Sequence, residues 1–501
     1  LKVSKISRNK WYYGSKNGIV YKVFCNEALK GRVRTIMEDK GMKRGLKNRH
    51  LQLISLGGVI SSGYFLGTGY ILQQAGPASV LSYLLGGAIV LCVMLCLAEL
   101  AVAEPIAGSF VTYARKYINP TWACGVGWTY WITWVTYVPA EMIAAGIIMN
   151  NFVPEISQLW WAIFFCLLVT LVNLFQVDKF GESEFWLAII KIIALIAFSI
   201  VGIMIIVGLV GDQGFIGTTL LLGSGGFAPN GYWAIILTMT IILVNFQGTE
   251  IIGLAAGECE DPAKSIPLAV RNVTWRIIAL YIVPISILVS ILPWEQAGLD
   301  ESVFAVALAN YGFEKFAACF SFVILTAALS CVNSGLYGTS RAMYSLASIG
   351  MAPKIFAKIN DKGIPQNSVI ITIITCWFII LLYSFDSSDM AYTYLLSLSG
   401  FTGAIAWISI CWSQYNFRKH CIARNSEDKL KYKTPFFPFV TLFGIWAQVV
   451  CMVVIASTPD LRETIYLGVV SLLIPMALFK IGNHKRKKRK KARLGALSSA
   501  E

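Results

Sequence analysis

Charge is what this sequence has least of. Only 14% of its 501 residues are Asp, Glu, Lys or Arg, and 56% are hydrophobic, whereas soluble domains carry about 25% charged residues. A soluble chain of this composition would expose large apolar patches, so the balance points to an integral membrane protein. Cysteine arranged for metal or redox work is also missing. The 12 cysteines contain no C-x-x-C pair, and Cys92 and Cys96, one helical turn apart, fit packing. The three histidines, His50, His420 and His484, fall near the edges of apolar runs. No disulfide framework, zinc site or other metal site is expected. Outside the apolar runs no stretch is long enough for a soluble catalytic domain. "GSGGF" (223–227) lacks the strand–helix context of a nucleotide loop, so an enzyme is not expected.

What is present is a series of long apolar runs. A bilayer core about 30 Å thick takes roughly 20 apolar residues per helix. Twelve runs qualify, near 51–74, 77–103, 121–151, 159–177, 185–210, 232–256, 276–294, 316–343, 367–384, 391–414, 437–457 and 464–482. They are too long and too uniformly apolar for barrel strands, so the expected fold is an all-α bundle of twelve transmembrane helices. The net charge of +15 is not spread evenly. With the N-terminus placed in the cytoplasm, all of the 42 Lys and Arg except Lys191, Lys315 and Arg462 fall on the cytoplasmic side. The outer loops carry Glu155, Asp212, Glu295, Asp300, Glu301, Glu314, Asp386, Asp389, Asp460 and Glu463 instead. This is the positive-inside pattern, and it predicts a multi-pass protein of the cell (inner) membrane with both termini cytoplasmic.

The chain divides into a basic cytoplasmic tail (1–50), a twelve-helix domain (51–482) and a second basic tail (483–501). Much of 1–36 is expected either to be disordered or to lie before a later start at Met37 or Met42. The run "HKRKKRKKAR" (484–493) fits topological retention and contact with anionic lipid. Nucleic acid is not an expected partner; the lipid bilayer and a small molecule are, and oligomeric state is left open.

Two runs are poor helices. "LISLGGVISSGYFLGTGY" (53–70) holds five glycines and three serines, and "NFQGTEIIG" (245–253) breaks the sixth run with polar and small residues. They lie five helices apart, where a transporter built from two inverted five-helix repeats places its discontinuous helices. Unwound backbone there offers N–H groups to a carboxylate and carbonyls to an ammonium. Close packing through Gly63 and Gly67 is the alternative. Charges inside the runs are Glu99, Glu141, Lys191 and Glu250. Each costs roughly 3 kcal/mol on insertion scales and so marks a functional candidate. Glu99 lies near the inner edge, where a solvated structural role is equally open. Lys191 either pairs with a carboxylate or snorkels to the interface. "GWTYWITW" (127–134) reads either as an interfacial belt or as the wall of a pocket for an amine.

Several strings resemble the amino acid–polyamine–organocation permeases, and among them the bacterial lysine-permease-like transporters. These are "LKNRHLQLISLGG" (46–58), "AGSFVTYARKYI" (107–118), "GWTYW" (127–131), "FGESEFWLAIIK" (180–191), "FQGTEIIGLAAGECEDPAKSIPLAV" (246–270), "NSGLYGTSRAMYSLA" (333–347) and "SGFTGAIAW" (399–407). The resemblance implies a 5+5 inverted repeat with discontinuous helices 1 and 6, followed by two C-terminal helices. It implies proton-driven amino acid uptake, with the proton as coupling ion and no other cofactor. By position, Ser61, Ser62 and Gly63 would hold the substrate α-carboxylate, and Asn245, Phe246 and Gly248 would surround the α-amine. Positions matching Tyr130, Trp134, Lys191, Phe246, Glu250 and Glu258 are linked to binding or transport. The acid at Glu141 stands where a lysine permease has Asp. Ser61, Tyr64 and Asn245 depart from the usual pattern and bear on which substrate is taken.

The resulting expectation is a proton-coupled amino acid importer with binding residues Ser61, Ser62, Gly63, Tyr130, Trp134, Asn245, Phe246 and Gly248. Its proton-coupling residues are Lys191, Glu250, Glu258 and Glu141. A cationic substrate such as lysine comes first. The alternatives are another amino acid (histidine or a neutral one), an exchanger, or a sensor on the same fold.

Overall fold

Lipid offers the backbone no hydrogen-bond partners, so each apolar run must close its own bonds and does so as helix. The computed structural model describes residues 10–16, 19–25, 35–36, 59–106, 108–175, 180–211, 214–223, 225–255, 262–360, 364–384, 391–457, 459 and 462–498. Three short strands, Lys10–Lys16, Ile19–Cys25 and Thr35–Ile36, pair antiparallel in chain order ahead of the first helix. The first apolar run gives α1 (Ser62–Phe65) and α2 (Gly67–Ala75), separated at Leu66. Then follow α3 (Ser79–Ala103), the short α4 (Ser109–Tyr117), α5 (Pro120–Phe152), α6 (Gln158–Phe175) and α7 (Phe180–Val207). The sixth run is cut into α8 (Trp233–Leu237), α9 (Met239–Val244) and α10 (Ile251–Ala255). α11 (Pro262–Ile277) and α12 (Val283–Ile291) are joined by a π-helical turn, Ile278–Ile282. The chain continues as α13 (Val303–Ala309), α14 (Glu314–Ser348), α15 (Gln366–Tyr383), α16 (Ala391–Ala423), α17 (Phe439–Ala456) and α18 (Arg462–Ser498).

Among the described residues, nine segments are long and apolar enough to cross a membrane, and Gln158–Asn173 is a shorter apolar helix. Ser62–Ala103 counts as one of the nine. A count of twelve requires dividing it at Gly76 and adding α6 and the interrupted α8–α10. Each of the twelve expected runs overlaps described helix.

α5 is the centre of the bundle. Asn119 caps it by accepting from Trp122 N at 2.8 Å, and Pro120 occupies the first turn, where its missing N–H costs nothing. In its most apolar stretch 83% of residues are buried, against 17% for α18. α5 packs against α16, α14, α6 and α18. The outer helices turn large apolar side chains outward instead: Ile193 and Ile200 on α7, Phe378 on α15, Leu473 and Leu478 on α18. An apolar exterior with a polar-dotted interior is the reverse of a soluble bundle and fits lipid as solvent.

Glu99 is where sequence and structure part. It is fully buried on α3. Its carboxylate accepts from Arg418 Nε (2.6 Å) and Nη2 (2.5 Å) on α16, from Gln414 Nε2 (2.9 Å) and from Thr434 N (2.7 Å). The role is structural but not solvated: the acid ties α3, α16 and the 424–438 connection together. Arg418 also donates to the partly exposed Glu427 through Nη1 at 2.8 Å, so loss of Glu99 leaves it only partly paired; breaking a buried ion pair from one side costs about 3–5 kcal/mol, the upper bound here. Glu99→Ala should therefore lower the thermal unfolding midpoint in detergent sharply. Glu99→Gln combined with Arg418→Met, which removes both charges, should restore most of the loss. Equal midpoints for the single variant and the parent would contradict the ion-pair account.

Candidate substrate site

The first interruption begins with Val59–Ser61 in turn and bend conformation, before α1 starts at Ser62. Ser61 is extended (φ −130°, ψ −176°), and its Oγ accepts from Gly63 N at 3.1 Å. The next amide, Ser62 N, donates across the bundle to Glu141 Oε2 on α5 at 3.1 Å. The second interruption runs from Asn245 to Glu250, all turn, between α9 and α10. Gly248 adopts φ 99°, a conformation that disfavours a side chain.

The two interruptions meet. A Cβ on Gly63 would lie 2.9 Å from Asn245 Oδ1. Tyr281, in the π-helical turn, donates toward Asn245 O (2.9 Å) and Val59 O (3.3 Å), so one hydroxyl serves carbonyls of both segments. Its ring packs at a tilt against Phe246, with centroids 4.5 Å apart. Asn245 Nδ2 donates to Tyr83 OH at 2.8 Å. Tyr64 is fully buried with its ring between Tyr83, Tyr281 and Phe304, at centroid distances of 4.6 to 5.8 Å. It helps build the aromatic floor of the interruption.

The two interior acids of the expected site are held differently. Glu250 accepts from Tyr130 OH (2.9 Å), Trp407 Nε1 (3.1 Å) and Gly248 N (3.1 Å to Oε2), so both its oxygens are engaged in closing the turn. Glu141 Oε2 holds Ser62 N, while buried Oε1 has no hydrogen-bond partner among the described residues. Ser62 Oγ, Asn245 Oδ1 and Tyr392 OH are buried in the same condition. Tyr137, Lys191 and Tyr392 are the titratable neighbours of Glu141. Lys191 on α7 is fully buried rather than snorkelling, and its Nζ donates to Ser330 Oγ on α14 at 2.9 Å.

The aromatic string 127–134 splits by helical phase. Tyr130 and Trp134 are buried, Tyr130 on Glu250 and Trp134 against Gly335. Trp128 and Trp131 are half-buried on the other side, donating to Met351 O and Thr372 Oγ1. Ser61, Ser62, Gly63, Asn245 and Phe246 are gathered with Glu141; Gly248, Tyr130 and Glu250 form an adjoining cluster. Glu258 lies outside the described residues. Sequence reasoning did not single out Tyr83, Tyr281, Ser330, Tyr392 or Trp407. Trp407 lay inside the string "SGFTGAIAW", the one signal that could have flagged it.

The chain matches the family described as Amino acid permease over residues 50–494. It belongs to that family. It is similar to the amino-acid permease RocE of Bacillus subtilis (strain 168), 40% identical over 456 residues that cover 90% of this chain and 97% of that protein. It is also similar to the lysine-specific permease LysP of Escherichia coli (strain K12), 38% identical, covering 89% and 93% of the two chains. Among solved structures, a mutant of the manganese transporter of Eremococcus coleocola superposes with TM-score 0.54 at 14% identity, over 90% of this chain and 99% of that one. That likeness extends to the fold. The protein is a membrane-spanning amino acid permease and not an enzyme, and the small molecule it handles is an amino acid.

Gly335 fixes the depth of Trp134 in this permease, because a Cβ there would lie 2.3 Å from the indole ring. Gly335→Leu should force the ring out of place and cost about 1–3 kcal/mol, the usual scale of overpacking. Thermal unfolding with intrinsic fluorescence reads both effects, and an unchanged midpoint and emission would refute the contact.

Proposed function

We propose that the permease imports an amino acid together with a proton, that its substrate is cationic, lysine first, and that Glu141 is the group through which the proton acts. The observation that carries this reading is the bond from Ser62 N to Glu141 Oε2. Ser62 N is one of the amides the substrate carboxylate would use. A carboxylate from the protein already holds it, in a buried setting where an unpaired charge is costly.

The chemistry follows from competition. While Glu141 is ionised, a second carboxylate arriving at Ser62–Gly63 meets a like charge. Once Glu141 is protonated it is a weak acceptor, the Ser62 amide becomes available, and substrate and proton enter together. Lys191 beside it supplies the positive charge that keeps the ionised form tolerable. Glu250 fits this task less well, because its oxygens are occupied by Tyr130, Trp407 and Gly248 N. It is better suited to holding the shape of the second interruption. The substrate amine would lie toward Asn245 Oδ1 and the turn at Phe246–Gly248. A cationic side chain would be favoured by Glu250, the acid that keeps its charge when Glu141 takes the proton, with Tyr130 and Trp134 as walls. The strongly basic loops and tails support a cell-membrane orientation with both termini cytoplasmic.

The test is uptake of labelled lysine into proteoliposomes under an inward proton gradient, competed by other amino acids. Accumulation abolished by a protonophore is expected; uptake indifferent to the proton gradient would overturn the coupling. Glu141→Gln should keep substrate binding while removing its pH dependence and concentrative uptake. A pH profile like the parent's would shift the role elsewhere. Lys191→Ala should also abolish gradient-driven accumulation, and normal accumulation would refute its part. Gly63→Val places a side chain against Asn245 Oδ1 and should weaken substrate binding by at least about tenfold, equal to ~1.4 kcal/mol. Near-parent affinity by competition would sink the carboxylate placement.

A further inference from the structure

Away from the substrate site, a cavity of about 540 Å³ opens between the start of α5, the turn after α14 and the last apolar turns of α18. Three kinds of observation describe it. Its wall is apolar, with Trp128 on α5 and a stripe of Ile474, Pro475, Leu478 and Phe479 on α18. Its seam is fixed: Trp128 Nε1 donates to Met351 O at 3.1 Å, and Cys124 Sγ lies 3.7 Å from the same oxygen and 3.8 Å from Pro475 O. Its end has the opposite chemistry. Pro353 on the rim leads directly into exposed Lys354. The α18 stripe advances as pairs 474/475, 478/479 and 482/483. Beyond Asn483 the same helix continues into the basic sequence 485–491.

A crevice that is apolar along its length and basic at one end, in a membrane-spanning helix bundle, matches one ligand chemistry. We propose that it is a site for an anionic phospholipid, with an acyl chain in the crevice and the phosphate at Lys354 and the basic continuation of α18. Charge complementarity selects this occupant. A zwitterionic lipid or a protein helix would supply the apolar part but no net charge for the basic end, and basic clusters at the cytoplasmic end of membrane helices attract anionic headgroups. The site would tie α18, the most peripheral span, to the α14 turn and to α5, which carries Glu141.

The experiment uses the full-length protein in nanodiscs or mild detergent. Retained lipid is counted by native mass spectrometry with phosphatidylglycerol against phosphatidylcholine. The parent should hold phosphatidylglycerol preferentially. Gly482→Phe fills the crevice, and its Cβ meets nothing within 4 Å, so the protein should fold and lose the bound lipid. Lys354→Ala with Arg486→Ala and Lys487→Ala should weaken phosphatidylglycerol binding by about fivefold per charge removed, the equivalent of ~1 kcal/mol each, and leave phosphatidylcholine unaffected. Equal retention of both lipids by the parent overturns the proposal. So does charge sensitivity without any effect of Gly482→Phe, which would mean a basic surface and no crevice site. The readout is lipid occupancy, so its failure is separate from any failure of the transport reading.

Discussion

Backbone satisfaction in lipid is the constraint on which the rest of this permease depends. A helix interrupted in hydrocarbon leaves N–H and C=O groups that water cannot reach, each costing several kcal/mol if unpaired. The two interruptions are therefore closed by side chains, some from neighbouring helices and some from the interruptions themselves. Tyr281 serves carbonyls of Val59 and Asn245 together, Ser61 serves Gly63 N, Glu141 serves Ser62 N, and Glu250 serves Gly248 N. In the proposed function, the same groups that make the unwound backbone tolerable are the ones a substrate would displace or join, so structural and functional roles would be two uses of one set of hydrogen bonds.

The proposed coupling rests on the asymmetry between the two acids. Glu250 is anchored by an indole, a phenol and an amide of its own turn, so its charge is spread over fixed donors. Glu141 reaches from one helix to a backbone amide of another and keeps one oxygen without a partner among the described residues. A group bridging two elements by a single acceptor bond is suited to letting go; a group closing its own turn is suited to staying. Burial makes both acids expensive to hold ionised, but in Glu141 alone is the bond one that a substrate carboxylate could inherit.

Much of the architecture was legible because lipid simplifies the code. Length and apolarity locate spans, and Gly, Ser and Asn where helix is demanded locate the breaks at 59–61 and 245–250. The in-membrane charges also drew attention to Glu141, Lys191 and Glu250, all of which the structure buries. What stayed hidden was pairing over long separations. Nothing in the residues around Glu99 announces Arg418, more than three hundred positions on, so the sequence left a solvated structural role open where the structure has a buried ion pair. Tyr83, Tyr281 and Trp407 carry no local mark either: a tyrosine in an apolar helix looks the same whether it packs or clasps a carbonyl. The π-helical turn that aims Tyr281 is a backbone adjustment invisible in the side-chain pattern.

Substrate identity is the least legible property, for a physical reason. The zwitterion common to all amino acids is recognised by backbone groups and a few fixed polar atoms, which the sequence signals as breaks in helices. On the proposed reading, the variable side chain would be recognised by the shape and electrostatics of walls such as Tyr130, Trp134 and Phe246, where a difference of one methylene is worth only about 1–3 kcal/mol. Relatives that share the breaks can therefore share the chemistry of the head and differ in the tail they accept. On the proposed reading, the acid that stays ionised when Glu141 takes the proton favours a cationic tail, because an apolar wall cannot offset an unpaired carboxylate while a charged partner can. Specificity and coupling would then share one electrostatic arrangement, and a change in either would be felt by both.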